Sequence, residues 1–302
     1  MDDVHFIDRK SKKVCVEEIY GRWALSLMYG NSMGARLFAW LFLPLIARLA
    51  FLSRFYGFLQ RRKGSRKKVK PFIQTFGVDV GEFEVSAGSF RSFDDFFIRK
   101  LKPECRPIDM RLDRAVLPAD GRYLVCPDVS RAKGFYVKGQ EFDVKTFLQD
   151  SVLSRRFCDG SMVIARLCPT DYHRFHFPIA GLPSKGRSIH GALYSVNPIA
   201  LAKKLSIFSE NKRVITEIDS PQFGTVLMVE VGATFVGSIH QTYVPERAVE
   251  KGDEKGYFSF GGSSIVLLFE KRRIVFDEDL LEGSLRHIEV RGFFGSSLGR
   301  VV

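Results

Sequence analysis

Lys255-Gly-Tyr-Phe-Ser-Phe-Gly-Gly-Ser-Ser-Ile-Val-Leu-Leu-Phe-Glu270 is the stretch on which the reading of this chain turns. A Gly-Gly-Ser-Ser turn runs straight into a short apolar strand. Gly261 and Gly262 give the backbone conformations closed to residues with a Cβ, so the carbonyl before Ser263 can be held open to attack. Ile265 to Phe269 is β-branched and apolar enough to lie in a core and hold the serine rigidly. A Gly-Ser turn before a strand is common, and alone it says little about catalysis. Its weight comes from what the rest of the chain brings to it.

Two other stretches supply candidate partners. Leu117-Pro-Ala-Asp-Gly-Arg122 sets Asp120 at a turn, and Asp171-Tyr-His-Arg-Phe-His-Phe-Pro178 sets His173 and His176 three apart among aromatic residues. Ser, His and Asp are the parts of a nucleophile, a base and its orienter. His176 could take the proton from Ser263 Oγ, with Asp120 holding the imidazole; the sequence supplies the parts and not the contact. A serine hydrolase normally shows its nucleophile on an exposed elbow. Here the serine precedes a strand of buried character, which suits attack on its own backbone better than attack on a visitor. At a spacing of three, the two imidazoles share a face on a helix but point to opposite sides of a strand. The H-x-x-H spacing also occurs in metal sites, but no third ligand is evident and no metal is expected. His190 and His240 lie in strand-like stretches and read as structural.

The chain has 302 residues, 45% hydrophobic and 26% charged, ample for a buried core in one large or two modest domains. Phe is the outlier at 28 copies. The net charge of +12 is concentrated in the basic run Arg61-Arg-Lys-Gly-Ser-Arg-Lys-Lys-Val-Lys70. Such a block suggests an anionic surface as partner, membrane or nucleic acid, with a solvated linker as the plain alternative. It lacks interleaved aromatic residues and no recognition motif accompanies it, which disfavours nucleic acid. The five cysteines (Cys15, Cys105, Cys126, Cys158, Cys168) are scattered without a C-x-x-C pair. That argues against a disulfide framework or structural zinc and favours a reducing compartment. The opening Met-Asp-Asp-Val-His-Phe-Ile-Asp is acidic and polar, unlike a secretory signal.

Along the chain, Glu17 to about Gly30 has helical spacing. Leu37 to Leu52 is the most apolar stretch, shorter than the roughly 20 residues of a bilayer span and interrupted by Pro44 and Arg48. With Phe55, Tyr56, Phe58 and the basic run behind it, it reads as a helix pair lying in a membrane interface; a buried helical hairpin is the alternative. Phe72–Phe76 and Ser92–Arg99 are short helical candidates, the second capped by Ser92 with acidic residues in its first turn. From about Ala115 short runs rich in Val, Ile, Tyr and Phe recur between Gly, Pro and Asp, the mark of strands. The clearest are Ser161–Leu167, Gly191–Val196, Thr225–Val231, Thr234–Ile239 and Ser264–Phe269. The expected fold class is α+β: an N-terminal helical, membrane-associating region over residues 1–72, then a mostly antiparallel, β-rich catalytic domain over 73–302.

The ordered set Asp120, His173, His176 and Gly262-Ser263 resembles the phosphatidylserine decarboxylases, a family of self-processing pyruvoyl enzymes. The resemblance runs from about Ser53 to about Phe269. It includes Phe90-Arg-Ser-Phe-Asp-Asp-Phe-Phe-Ile-Arg-Lys-Leu-Lys-Pro-Glu-Cys-Arg-Pro-Ile-Asp109, Val137-Lys-Gly-Gln140 and Lys251-Gly-Asp-Glu-Lys-Gly-Tyr-Phe258. It implies that Asp120, His176 and Ser263 form the charge relay that drives Ser263 against the carbonyl of Gly262. An N-to-O acyl shift gives an ester, and β-elimination splits the chain and leaves dehydroalanine. Hydrolysis then leaves a pyruvoyl group at position 263, with a β chain of residues 1–262 and an α chain of 263–302. That pyruvoyl group is the cofactor, condensing with the amine of phosphatidylserine as a Schiff base on the way to phosphatidylethanolamine and CO2. His173 matches the family's histidine for the decarboxylation step. The resemblance further implies membrane association through the N-terminal region, and dimers occur in the family; with the basic run and the unpaired cysteines, peripheral attachment to an anionic surface on the cytoplasmic side is the expectation. One departure stands out: the family's usual Leu-Gly-Ser-Thr reads Gly261-Gly262-Ser263-Ser264 here, which keeps a hydroxyl but loosens the approach. A second Gly-Ser-Ser, Gly295-Ser296-Ser297, lacks a following apolar strand and reads as a decoy in a flexible tail. Two other readings stand beside this one, a membrane-associated serine hydrolase using Asp120, His176 and Ser263 without self-cleavage, and a non-enzymatic adaptor binding anionic lipid through residues 61–70.

Overall fold

A computed structural model describes residues 3–19, 21–30, 32–34, 37, 40–41, 50–131, 142–233, 239–261 and 263–302. Its strands, in chain order, begin with β1 (His5–Asp8), β2 (Val14–Val16), β3 (Arg114–Val116), β4 (Gly121–Cys126), β5 (Ser161–Leu167) and β6 (Arg174–His176). There follow β7 (Leu182–Pro183), β8 (Arg187–Ile189), β9 (Arg213–Ser220), β10 (Gly224–Val231) and β11 (Ile239–Gln241). The last are β12 (Glu254–Phe258), β13 (Ser263–Phe269), β14 (Val275–Phe276), β15 (Glu289–Gly292) and β16 (Ser297–Arg300).

Ten of these strands form one sheet in the order β2-β1-β15-β4-β5-β13-β10-β9-β7, with β8 also on β9. Every pairing is antiparallel except that of β1 with β15. β13 lies near the middle, with β5 on one side and β10 on the other. All its residues are buried, which is why its sequence is an unbroken apolar run and not an alternation. Val266 and Leu268 face a core that includes Phe147 and Phe157 from the helices Val144–Leu148 and Ser151–Phe157. Ile265 and Leu267 face a second core, roofed by Phe175 and Phe258 of the small sheet β11-β12-β6. A third, aromatic cluster joins Phe72, Phe83, Phe90, Phe93, Phe96 and Phe97 to Phe260, the residue three before Ser263. The high phenylalanine count finds part of its use there, in tilted and edge-on pairs 4.7 to 6.0 Å apart.

Mixed α and β content with mostly antiparallel sheets matches the expected class, and Ser161–Leu167, Thr225–Val231 and Ser264–Phe269 fall in β5, β10 and β13. Ser92 does cap the helix Phe93–Phe97, its hydroxyl accepting from the Asp95 amide at 3.1 Å. Gly191–Val196 is not a strand. Leu193, Tyr194 and Val196 are buried as irregular chain, and Asn211 supplies the hydrogen bonds a ladder would have given, to both N and O of Tyr194. Of Thr234–Ile239, residues 234–238 lie outside the described residues, as does Val137–Gln140. The N-terminal region is not simply helical: β1 and β2 form a hairpin on the edge of the large sheet before the helices Arg22–Tyr29, Ala50–Arg61 and Val69–Phe76 begin. Most of Leu37–Leu52 lies outside the described residues, and no described helix is long and apolar enough to cross a membrane. Gly295-Ser296-Ser297 is not a flexible tail either. Gly295 sits at φ 84° against the carbonyl of Pro107, and Ser297 opens β16, which pairs with β3 and β14.

Candidate active site

Ser263 is the first residue of β13 and is fully buried. Its hydroxyl lies 3.5 Å from Nδ1 of His173, ninety residues earlier in the chain. The other ring nitrogen of His173, Nε2, is 2.9 Å from the carbonyl oxygen of Cys168. A carbonyl can only accept, so the proton sits on Nε2 and Nδ1 turns a bare lone pair toward the serine. The imidazole is stacked on Phe97 at 3.9 Å, which fixes its plane. The loop that presents the Cys168 carbonyl is itself braced. Asp171 accepts from the Cys168 amide at 2.8 Å and from Arg122 at 2.5 Å, and Arg122 and Arg166 share Glu17. Burial would raise the Glu17 carboxyl, but Arg166 and Arg122 bring it down to about 2. The N-terminal segment thus reaches the site through a chain of charges.

His176 ends β6 and faces elsewhere. Its Nδ1 donates to the carbonyl of Gly252 at 2.9 Å, and the Tyr172 hydroxyl lies 3.3 Å from Nε2. Its ring stacks on Phe294 at 3.7 Å. Asp120, in the turn before β4, is buried and held by Arg106 through two nitrogens at 2.7 to 3.1 Å and by the Phe294 amide at 2.9 Å. Burial pushes its carboxyl up against the pull of that guanidinium. Among the described residues no hydrogen bond joins Asp120 to either histidine, or His176 to Ser263. Instead Asp120 and His176 meet through Phe294, whose amide binds one and whose ring covers the other. His173 is therefore the histidine within reach of Ser263 in this geometry, and His176 belongs to a neighbouring group with Tyr172, Phe294 and Asp120.

The turn before Ser263 is held from the helical side. Asp94 accepts from the Phe260 amide at 3.0 Å, and the Phe260 ring packs on Phe97 at 4.9 Å and Phe93 at 5.1 Å. Ser264 points to the opposite face of the sheet from Ser263, and its buried hydroxyl has no hydrogen-bond partner among the described residues.

Residues 93–296 match the family described as phosphatidylserine decarboxylase. A protein of Chlamydia pneumoniae named phosphatidylserine decarboxylase proenzyme is 44% identical over 99% of this chain and 98% of its own length. The chain belongs to the phosphatidylserine decarboxylase family. Proteins of the same name from Chlamydia muridarum and Chlamydia felis are 43% and 42% identical, over 98% and 99% of this chain and 96% and 99% of their own. Membership makes this chain a pyruvoyl-dependent carboxy-lyase by class, made as a proenzyme. Within that family, sequence reasoning overlooked the roles of Arg106, Tyr172, Phe97 and Phe294 around the motif residues. Arg106 and Phe97 lie in a stretch whose resemblance is visible; Phe294 lies in no motif, and only the fold brings it to His176.

Both imidazoles are neutral in the folded protein. Burial lowers His173 to about 3 although Asp171 and the Cys168 carbonyl pull the other way, and burial lowers His176 to about 4. Unfolded histidine binds a proton near 6.5, whereas these two do not until the pH is much lower. The unfolded state therefore binds more protons between about pH 3 and 6.5, and native stability falls as pH drops through that window. We expect the thermal midpoint to decline below pH 6.5, and to decline less in H173Q/H176N, which keeps a donor for each carbonyl and removes both titrations. Parallel pH profiles of the two proteins would count against buried neutral histidines.

Proposed function

We propose that this chain converts phosphatidylserine to phosphatidylethanolamine and CO2 through a pyruvoyl group made from its own Ser263 by autocatalytic cleavage after Gly262. The observation that carries the proposal is the buried Ser263 hydroxyl facing the unprotonated Nδ1 of His173, within a family of decarboxylase proenzymes. In the unprocessed chain Ser263 is fully buried at the head of a central strand, whereas a hydrolase needs its nucleophile open to substrate from the start; self-cleavage needs only the residue bonded before it. That weighs against the serine hydrolase reading. In the first phase Ser263 Oγ attacks the carbonyl of Gly262, its proton passing to a histidine, and the peptide nitrogen is protonated as the ester forms. The motif resemblance implies His176 with Asp120 for this step, and His173 for the decarboxylation. His173 is already beside position 263, its Nδ1 3.5 Å from Ser263 Oγ, and so is placed to serve that position afterwards. The relay asks more of His176, whose ring must turn from the Gly252 carbonyl toward Ser263.

The site suits the group. Position 263 is fully buried, carries no competing charge of its own, and has the His173 imidazole beside it, able to hold or deliver a proton. A pyruvoyl group there would supply the electron sink into which the substrate's carboxylate bond can break. His173 would return a proton to the substrate carbon, and Phe97 and the Cys168 carbonyl would keep the ring in line.

The membrane is the natural source of such a substrate. Phe55, Phe58 and Leu59 are exposed on the helix Ala50–Arg61, and the basic run that follows is exposed at every Lys and Arg. Exposed aromatic side chains beside seven cationic groups suit the headgroup boundary of an anionic membrane and peripheral attachment to it. One experiment tests the whole proposal. Purified protein mixed with phosphatidylserine vesicles should sediment with them at low salt, release CO2, and give under denaturing conditions two masses divided before position 263. An uncut chain labelled at Ser263 by a fluorophosphonate would favour the hydrolase. Sedimentation without either splitting or CO2 would favour an adaptor.

A further inference from the structure

The small sheet that carries the histidines contains an irregularity with a charged residue at its centre. β12 pairs with β6 so that Glu254 faces His176 and Gly256 faces Phe175. Two steps along β12 thus match one along β6, which makes Lys255 the extra residue of a β-bulge. Bulges re-aim a side chain and tend to sit beside active sites. Lys255 is aimed inward and is fully buried. Its Nζ donates to Glu230 Oε1 at 2.8 Å and to Gln241 Oε1 at 2.9 Å, and Gln241 closes the triangle by donating to Glu230 Oε2 at 2.8 Å. The rings of Tyr243 and Phe175 lie 5.1 and 5.6 Å from the ammonium.

Glu230 belongs to β10, the neighbour of β13 in the large sheet. It stands opposite Ile265, two residues from Ser263 on the same face. The Lys255–Glu230 pair therefore ties the small sheet, with its histidines, to the large sheet, with its serine. Burying two opposite charges gains little stability, because desolvation offsets most of their attraction; the best-attested use of such a pair is to fix register. Fixing register is what this place requires. β12 ends at Phe258, and only residues 259–262 separate it from Ser263. Losing the bulge would advance β12 on β6 by one residue, about 3.3 Å. That is nearly the whole 3.5 Å separation between Ser263 Oγ and His173.

We propose that Lys255 and Glu230 are positioning residues for self-cleavage, a buried register key that holds the bulge in β12 and so sets the reach of the turn before Ser263. The inference rests on the self-cleavage reading above. Gly256 contributes to the same end, because a Cβ there would lie 2.0 Å from the His240 carbonyl oxygen and β12 can approach β11 this closely only without a side chain.

The test is a time course of chain splitting in full-length protein made by cell-free synthesis, with folding followed by thermal melting. K255M leaves Glu230 without its cation, and E230Q/K255M removes both charges at nearly constant volume. Both are expected to fold and to split about ten- to a hundredfold more slowly than wild type, the scale of an ångström-level misplacement. K255R, which keeps the cation and can reach the same two oxygens, is expected to split at close to the wild-type rate. A folded K255M or E230Q/K255M that splits as fast as wild type overturns the register key while leaving self-cleavage intact. Failure of both variants to fold, with K255R normal, overturns it too and makes the pair a stability element. A wild-type chain that stays whole removes the self-cleavage reading itself.

Discussion

Ser263→Ala is expected to yield one uncut chain that releases no CO2 from phosphatidylserine. The two losses have one cause: in the proposed route the side-chain oxygen is both the nucleophile that breaks the chain and the leaving group whose elimination turns the serine carbons into the pyruvoyl group, and alanine has no such oxygen to lose. Neither loss should be partial, since the described residues bring no second hydroxyl to His173. Folding is a separate matter. The side chain is fully buried at the start of a central strand, alanine is smaller, and the hydrogen bond removed is a long one. The melting transition should therefore move by no more than about 1 kcal/mol in stability. Intact mass and a CO2 assay on the same sample decide the matter. A variant that is uncut yet fully active would defeat the pyruvoyl proposal. One that still splits would direct attention to Gly295-Ser296, although that serine is tied into the turn before β16, its hydroxyl bonded to the Phe293 carbonyl at 2.6 Å.

The second large effect separates the two histidines. H176N keeps the donor that Nδ1 offers the Gly252 carbonyl, and H173Q keeps the one that Nε2 offers the Cys168 carbonyl; neither amide can take up a proton as an imidazole does. If the relay runs through His176 and Asp120, H176N stays uncut. H173Q then splits, and its split form releases CO2 at least about a hundredfold more slowly, the usual scale for losing a general acid. If His173 is the base that strips Ser263, the pattern reverses and H173Q stays whole. The two outcomes are read from one gel and one gas assay. Tyr172 sharpens the comparison. Its hydroxyl contacts His176 and not His173, so Y172F should follow H176N in kind, with a smaller effect.

The parts of the site that a sequence reveals are those whose role is written in their neighbours along the chain. Gly-Gly-Ser-Ser followed by Ile265–Phe269 announces a turn and a doubly buried strand, because burial on both faces leaves no polar alternation to disguise it. Ser92 before two aspartates announces a helix start. Other features depend on partners far away. The Ser263–His173 contact spans ninety residues, and whether His173 or His176 turns toward the serine follows from where β6 begins. Gly191–Val196 has a strand's composition, but its apolar side chains are buried without a ladder because Asn211 satisfies the backbone. The hairpin of β1 and β2 offers only short runs, and its pairing with β15 joins opposite ends of the chain. The bulge at Lys255 has no sequence signature at all, since a lysine in an otherwise ordinary strand gives no hint of its buried carboxylate.

The central position of β13 has a consequence for how the processed protein comes apart. Cleavage before residue 263 would divide the molecule into two polypeptides, yet the shorter one contributes β13 between β5 and β10, β15 between β4 and β1, and β16 against β3. The fragments are interleaved and cannot separate without opening the large sheet. Before cleavage, unfolding is a unimolecular event that the chain can retrace. After it, refolding would need two partners to find each other and thread several strands into place, at a rate set by concentration. Heating the precursor form of S263A should thus be reversible where heating the mature enzyme is not, and the lifetime of the mature form should be governed by its unfolding barrier rather than by an equilibrium.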